Sequence, residues 1–328
     1  MRIGLSFLLF FVVTSQISAC NLAGNKQQSK KDSAIKFEDE VVAKALYNQS
    51  VKISSPLIKD TVYQVKCMGK PIEVRFAIAQ QNQGSTRKLL LLLPGWNYAD
   101  TQWCTRTTLC NYAQNLGYDL MFVEMGKSVY MDSLYPQMRK DYRFYPTRTW
   151  LFDSLMKPLM LRGYFTAKLP TFVLGLSTGG RGAMLLGLDH PGSFKAVASL
   201  SGDYDPTLNP SDNLMINCMG KYAEFSWRWK GSNNITNRIA TLKIPCYLAH
   251  GTEDKVVPVD QARKLHEAFE LAQIQANLAR PAGSNRKIPN FKFVEVAGAG
   301  HNYLFWGDQG VKAIDFFEQV MKNSIQSK

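Results

Sequence analysis

Histidine is scarce in this chain, with four in 328 residues, and no CxxC pair is matched by histidines at zinc-ligand spacing. That removes the common structural zinc sites. No internal repeat is present. No basic run is interleaved with a nucleic-acid-binding motif, so the net charge of +13 does not mark a nucleic-acid footprint. It fits a basic surface beside an anionic envelope, or a preference for acidic substrates. After the first twenty residues no apolar run approaches the roughly twenty residues a spanning helix needs, and the body of the chain is expected to be soluble. At 45% hydrophobic and 20% charged residues the composition excludes disordered and fibrous classes.

The N-terminus is set apart from the rest. Met1-Arg2 is a positive start, Ile3 to Val13 is an almost wholly apolar run, and Ile17-Ser18-Ala19 supplies small residues before Cys20. This is the order of a signal peptide over residues 1–19. Ile17-Ser-Ala-Cys20 resembles the bacterial lipobox. The resemblance implies cleavage before Cys20 and acylation of that residue with palmitate-like chains. Each buried methylene adds about 0.8 kcal/mol of membrane attachment. The chain is then expected in a bacterial cell envelope, periplasmic or on the outer surface, held to a membrane through Cys20. Asn, Gly, Gln, Ser and Lys dominate the following stretch, so residues 20–40 read as lipidated cysteine and tether. Residues 41–328 are left for one domain. With Cys20 lipidated, five cysteines remain, an odd number that leaves at least one thiol free or bridged between chains. Cys246, inside an apolar strand, is the expected buried free thiol.

From about residue 60 onward, strand-like and helix-like runs alternate. Strands are expected at Thr61–Cys67, Glu73–Ala79, Lys88–Leu93, Tyr118–Val123, Thr171–Leu176, Lys195–Leu200, Pro245–Ala249 and Phe291–Val296. Helices are expected at Asp100–Leu116, Trp150–Leu161, Gly180–Asp189, Asp260–Leu271 and Val311–Met321. Apolar strands separated by helices imply an α/β fold, a mostly parallel sheet with helices on both faces. Functional loops then lie at the carboxyl ends of the strands. Residues 125–148 and 204–242 break the alternation, and both follow strands. They are candidate lid insertions over the site.

Gly175-Leu-Ser177-Thr-Gly179 is a Gly-x-Ser-x-Gly motif between an apolar strand and a glycine-rich helix start. Its glycines permit the sharp turn that presents a nucleophile. Serine needs a base, usually histidine. His190 ends a helix, where capping accounts for it. His266 lies mid-helix and is expected exposed. His250 ends a strand as a packed polar residue. His301 alone sits in a glycine-rich loop directly after the last strand, and it is the candidate base. The imidazole needs an acid, and Asp254 follows the strand Pro245–Ala249, with Glu253 as its adjacent rival. With Asp254 the chain order is Ser177, Asp254, His301, the order of α/β-hydrolases.

With these residues in view, the chain from about residue 88 to 320 resembles an α/β-hydrolase. More narrowly it resembles the esterase family that includes esterase D and feruloyl esterases. Gly175-Leu-Ser177-Thr-Gly-Gly180 is similar to that family's elbow, the run Pro191–Asp205 to its next strand and loop, Gly251-Thr-Glu-Asp254 to its acid turn, and Gly300-His301 with Trp306 to its base loop. The acid turn favours Asp254 over Glu253. An oxyanion hole needs two backbone N–H donors. Thr178, next after the nucleophile, is one. The resemblance implies Trp96 as the other, although relatives have His-Gly where this chain has Pro94-Gly95, and Asn97 remains a rival. The implied reaction is cofactor-free and metal-free ester hydrolysis through an acyl-enzyme. Its substrate would be a small-molecule or carbohydrate ester, such as an acetyl or feruloyl ester. An acyltransferase or peptidase using the same triad is the competing enzyme reading. A non-catalytic binding lipoprotein is the competing reading outside enzymes, and the retained Ser, Asp and His argue against it.

Overall fold

The computed structural model describes residues 58–67, 70–79, 87–142, 146–161, 169–279 and 289–326. The chain divides into two units, Met1–Val41 and Val42–Lys328, and every described residue belongs to the second. The expected signal peptide, Cys20 and the tether therefore lie outside the described residues.

Eight strands form one sheet in the order β1-β2-β4-β3-β5-β6-β7-β8. β1 (Ile58–Cys67) and β2 (Lys70–Ala79) pair antiparallel, and β2 pairs antiparallel with β4 (Tyr118–Val123). The rest is parallel: β4, β3 (Lys88–Leu93), β5 (Thr171–Leu176), β6 (Ala196–Leu200), β7 (Cys246–Gly251) and β8 (Phe291–Val296). The eight expected strands are all present. β3 lies between β4 and β5, so the connections after β3 and β5 depart toward opposite edges of the sheet. Such a reversal opens a crevice at the carboxyl ends of the strands.

The leucine run of β3 shows how the sequence builds this sheet. Successive side chains point to opposite faces. Leu89, Leu91 and Leu93 enter one core with Ala183, Met184 and Leu265, whereas Leu90 and Leu92 enter the other with Trp103, Trp306 and Phe317. A strand buried on both faces needs an unbroken apolar run rather than an alternating one.

The helices are α1 (Gln102–Arg106), α2 (Leu109–Asn115), α3 (Thr147–Thr149), α4 (Lys157–Leu161), α5 (Thr178–Asp189), α6 (Asn213–Met219), α7 (Tyr222–Lys230), α8 (Asp260–Leu278) and α9 (Tyr303–Gln326). A π-helical stretch, Trp150–Met156, joins α3 to α4 without a break. α8 runs beyond the expected Leu271, and α9 starts well before Val311, directly behind the His301 loop. Among the described residues no helix is long and apolar enough to cross a membrane.

The single helix expected over Asp100–Leu116 is two helices instead. Thr107 is extended (φ −141°, ψ 166°). Its hydroxyl donates to the Trp103 carbonyl and accepts the Leu109 amide at 3.2 Å. A threonine hydroxyl that competes for backbone partners ends α1 and starts α2. A Cys104–Cys110 disulfide closes the corner. Closing so short a loop removes little denatured-state entropy, so the Cys104→Ser/Cys110→Ser variant should lose only about 2 kcal/mol in urea unfolding. Cys246 is a buried free thiol as expected, and Cys218 is another, pushed up to about 12 by burial.

The two segments that broke the alternation pack on each other. Val129, Met131 and Tyr142 from the first share a third apolar cluster with Met215, Cys218 and Trp229 from the second. Buried charge ties the first segment down. Arg148 reaches Asp132 at 2.7 Å and Asp189, at the end of α5, at 2.9 Å, and Arg238 meets the same Asp189 at 2.6 Å.

Candidate active site

Ser177 stands between β5 and α5 with φ 54° and ψ −124°, a region that L-residues rarely occupy. The surrounding glycines have a steric cause. A Cβ on Gly175 would fall 2.0 Å from the Gly179 carbonyl oxygen, and one on Gly179 would fall 2.4 Å from the Leu93 carbonyl oxygen. Strand, helix and the end of β3 are therefore too close for any side chain at either position. The Ser177 amide donates to the Leu200 carbonyl at 2.8 Å, which pins the turn to β6. Ser177 itself is 8% exposed.

His301 reaches Ser177 from the loop between β8 and α9. Its Nε2 lies 3.0 Å from Ser177 Oγ, and its Nδ1 lies 2.6 Å from Asp254 Oδ2. The ring meets Trp306 edge-on at 4.9 Å, and the buried Trp306 donates from Nε1 to Ser201 Oγ. Asp254 Oδ1 accepts the amides of Val256 and Val257 at 2.9 and 2.8 Å. Burial alone would raise this carboxyl. Hydrogen bonds from His250 and His301, with the Val257 amide, reverse that and hold it well below the usual carboxylate range. The acid turn and the base loop are also joined directly, because the Glu253 amide donates to Ala299 O at 2.9 Å and Thr252 N to Val296 O at 3.0 Å. Glu253 thus contributes its backbone here, while Asp254 alone of the two rivals meets the imidazole.

The loop after β3 lies against the nucleophile. A Cβ on Gly95 would be 3.3 Å from Ser177 Cβ. Asn97 adopts a left-handed backbone (φ 56°), and its amide is committed to the Gly126 carbonyl at 2.9 Å. The Trp96 amide donates to no backbone carbonyl among the described residues. Thr178 opens α5, where the first amides have no acceptor inside the helix. Thr178 follows Ser177 and Trp96 follows Gly95, and among the described residues neither amide donates to a backbone carbonyl outside its own helix, unlike that of Asn97. The half-buried Trp96 ring meets Tyr142 edge-on at 4.7 Å and packs on the cluster built by the two inserted segments.

The other histidines fall elsewhere. His190 stacks on Phe152 at 3.5 Å. His266 is half-buried against Phe293 rather than exposed, because β8 passes beside α8. His250 is fully buried, with Nε2 3.4 Å from Asp254 Oδ2. Sequence reasoning took it only as a packed polar residue. The signal available was its four-residue spacing from Asp254.

Behind the elbow, Arg181 of α5 is completely buried and donates to the carbonyls of Val129, Asp203 and Asn233. Burial raises the Asp203 carboxyl to about 6, against the pull of Arg181, whose guanidinium is 3.8 Å away. A carboxyl raised on folding binds more protons in the folded than in the unfolded chain between its ordinary value of 3.8 and about 6. Stability therefore falls as pH rises through that window and levels off above it. Asp203→Asn should match wild type near pH 4 and exceed it by about 1–3 kcal/mol near pH 7, read by urea unfolding at both values.

Comparison with known proteins agrees with this architecture. The family described as Putative esterase matches residues 66–313. The chain is 27% identical over 286 residues to the diacylglycerol acyltransferase/mycolyltransferase Ag85A of Mycobacterium leprae (strain TN), covering 79% of each chain. An S-formylglutathione hydrolase from Agrobacterium tumefaciens superposes with a TM-score of 0.59 at 14% identity, covering 78% of this chain and 92% of that one. A ferulic acid esterase superposes with a TM-score of 0.55 at 15% identity, covering 80% and 98%. These likenesses establish the α/β-hydrolase fold. Because the family match takes in most of the chain, from β1 to α9, the protein belongs to the Putative esterase family and is a carboxylic ester hydrolase.

Proposed function

We propose that the protein hydrolyses carboxylic esters through an acyl-enzyme on Ser177, with His301 as general base and Asp254 orienting it. The observation that carries this is the unbroken relay of 3.0 and 2.6 Å from Ser177 Oγ through His301 to Asp254. Ser177 O–H donates to His301 Nε2, and Oγ attacks the ester carbonyl as the proton passes to the ring. Asp254 holds Nδ1–H and stabilises the imidazolium. The amides of Thr178 and Trp96 receive the oxyanion, and each such donor is worth about 3–4 kcal/mol in the transition state. His301 then protonates the leaving alcohol, and water activated by the same ring releases the acid.

For the acyl group, the aromatic surface beside the site favours an aryl or carbohydrate ester, feruloyl or acetyl. Trp96 follows Gly95, which lies against the nucleophile, and packs on the inserted segments, where Tyr135 meets the exposed Trp227 at 6.0 Å; those segments would act as the lid. The name of the ferulic acid esterase points the same way. A second reading has one observation in its favour, the relative named as an acyltransferase. The same acyl-enzyme would then pass its acyl group to an alcohol rather than to water. Cys20, lipidated, would hold the enzyme in the cell envelope, and mass spectrometry of the mature N-terminal peptide would reveal the acyl mass.

The test is labelling of the purified protein with a fluorophosphonate, followed by peptide mapping, beside turnover of p-nitrophenyl acetate and methyl ferulate. A phosphonate adduct on the peptide containing Ser177 is the expected result, and an unlabelled, folded protein would sink the assignment. Adding glycerol during turnover separates the two readings, since a transferase forms the glyceryl ester in preference to free acid.

A further inference from the structure

We propose that His250 is a positioning residue for the Asp254 carboxylate, an inference that rests on the Ser177–His301–Asp254 relay of the proposed function. His250 ends β7, pairs in register with Glu295 of β8, and has no exposed surface. Its Nε2 lies 2.8 Å from the Val257 carbonyl oxygen. A carbonyl only accepts, so Nε2 carries the proton. The other ring nitrogen, Nδ1, is buried and meets no hydrogen-bond partner. The ring is therefore the Nε2–H tautomer, and its one polar hydrogen points into the acid turn.

That nitrogen has two oxygens beside it, and its hydrogen bond goes to Val257 O. Beyond Val257 O it faces Asp254 Oδ2 at 3.4 Å, the same oxygen that receives His301 Nδ1–H at 2.6 Å. Val257 closes the circuit, because its own amide donates to Asp254 Oδ1 at 2.8 Å. One imidazole thus fastens the far end of the turn to the strand and sets Nε2 beside the oxygen that His301 uses. The strand end has no slack of its own to compensate. A Cβ on Gly251 would lie 2.2 Å from the Ala299 carbonyl oxygen, so β7 and the base loop are already in contact there. A histidine that merely filled space would need no donor, and its bare Nδ1 would be a cost without return. The hydrogen bond of His250 instead fixes Val257, whose amide fixes the rotation of Asp254, which in turn fixes His301.

Glutamine and methionine have nearly the same length and volume, but only glutamine carries an N–H. Both variants, His250→Gln and His250→Met, are made in the full chain and assayed with p-nitrophenyl acetate. His250→Gln should keep kcat within about threefold of wild type. His250→Met should lower kcat about 10–100-fold, with KM unchanged within about twofold, because a small displacement of the catalytic groups is enough for such a loss. Equal kcat in the two folded variants overturns the proposal. Nitrogen-15 NMR of the wild-type histidines provides a check that needs no variant to fold: the Nε2–H tautomer at His250 is expected, and the Nδ1–H tautomer overturns it. Wild-type protein that fails to label with fluorophosphonate would remove the relay itself. Labelled wild type with equivalent variants removes only the role of His250.

Discussion

Ser177→Ala is expected to lower kcat by about 10⁴–10⁶-fold, with KM close to wild type. The proposed chemistry passes through Oγ, and no described side chain other than Ser177 meets His301 Nε2 with a hydroxyl. What remains is the rate supplied by the Thr178 and Trp96 amides acting on attack by water. The stability of the variant tests the geometry separately. Alanine keeps the Cβ that makes φ 54° and ψ −124° unfavourable, so it inherits the strain, and unfolding should shift by no more than about 0.5 kcal/mol. Ser177→Gly removes that Cβ. A residue in such a region carries about 1–3 kcal/mol of strain, and the greater freedom of glycine in the unfolded chain returns about 0.4–1 kcal/mol of it. The glycine variant should be as inactive as alanine yet more stable by about 1–2 kcal/mol. Matched turnover assays and urea unfolding of the three proteins measure both effects. An alanine variant retaining a tenth of wild-type kcat would mean that the nucleophile is elsewhere.

The pattern of that prediction, stability given up at one residue for the placement of a reactive oxygen, also explains what could be read from sequence. The sheet was legible because strands buried on both faces must be written as apolar runs, and Leu89–Leu93 or Phe172–Leu174 admit no other use. Ser177 and His301 were legible because each stands in a glycine-rich loop at the carboxyl end of a strand, β5 for one and the partly exposed β8 for the other, where topology brings strand ends together. The structure places the two within hydrogen-bond distance across 124 residues of chain. Local chemistry that overrides periodicity was not legible. The Thr107 hydroxyl splits an apparent helix, and the Cys104–Cys110 pairing depends on the corner that results. Contacts between the inserted segments were hidden for another reason. Met131, Tyr142 and Trp229 meet only after β4, β6 and the buried Arg148 have positioned their loops, and no spacing within either segment encodes that. His250 was read as packing because its partner is reached by a turn, and turns do not announce where they fold back.

The largest structural effect is expected from Gly175→Ala. The added methyl carbon would lie 2.0 Å from the Gly179 carbonyl oxygen, 2.3 Å from its carbon and 2.7 Å from the Gly180 nitrogen, all backbone atoms of the first turn of α5. A flexible side chain could swing aside, but these atoms cannot. The helix must move off the strand by roughly an ångström to reach ordinary contact distance, and Gly179 is already fixed on its other side by the Leu93 and Pro94 carbonyls. β3, β5 and α5 therefore cannot separate at one junction without disturbing the next. Ordinary overpacking costs about 1–3 kcal/mol when neighbours can yield. Here none can, and a loss of about 4 kcal/mol or more is expected. Any molecules that remain folded must carry Ser177 and the Thr178 amide on a displaced turn, and a shift of about 1 Å lowers turnover about 100-fold. Gly192→Ala is the matched control, because its added carbon meets nothing within 4 Å, and it should be neutral in both assays. Urea unfolding and fluorophosphonate labelling rates of the two variants decide the matter. A Gly175→Ala protein as stable and as reactive as Gly192→Ala would mean that the elbow is not held between β3 and β5 in the way these contacts require.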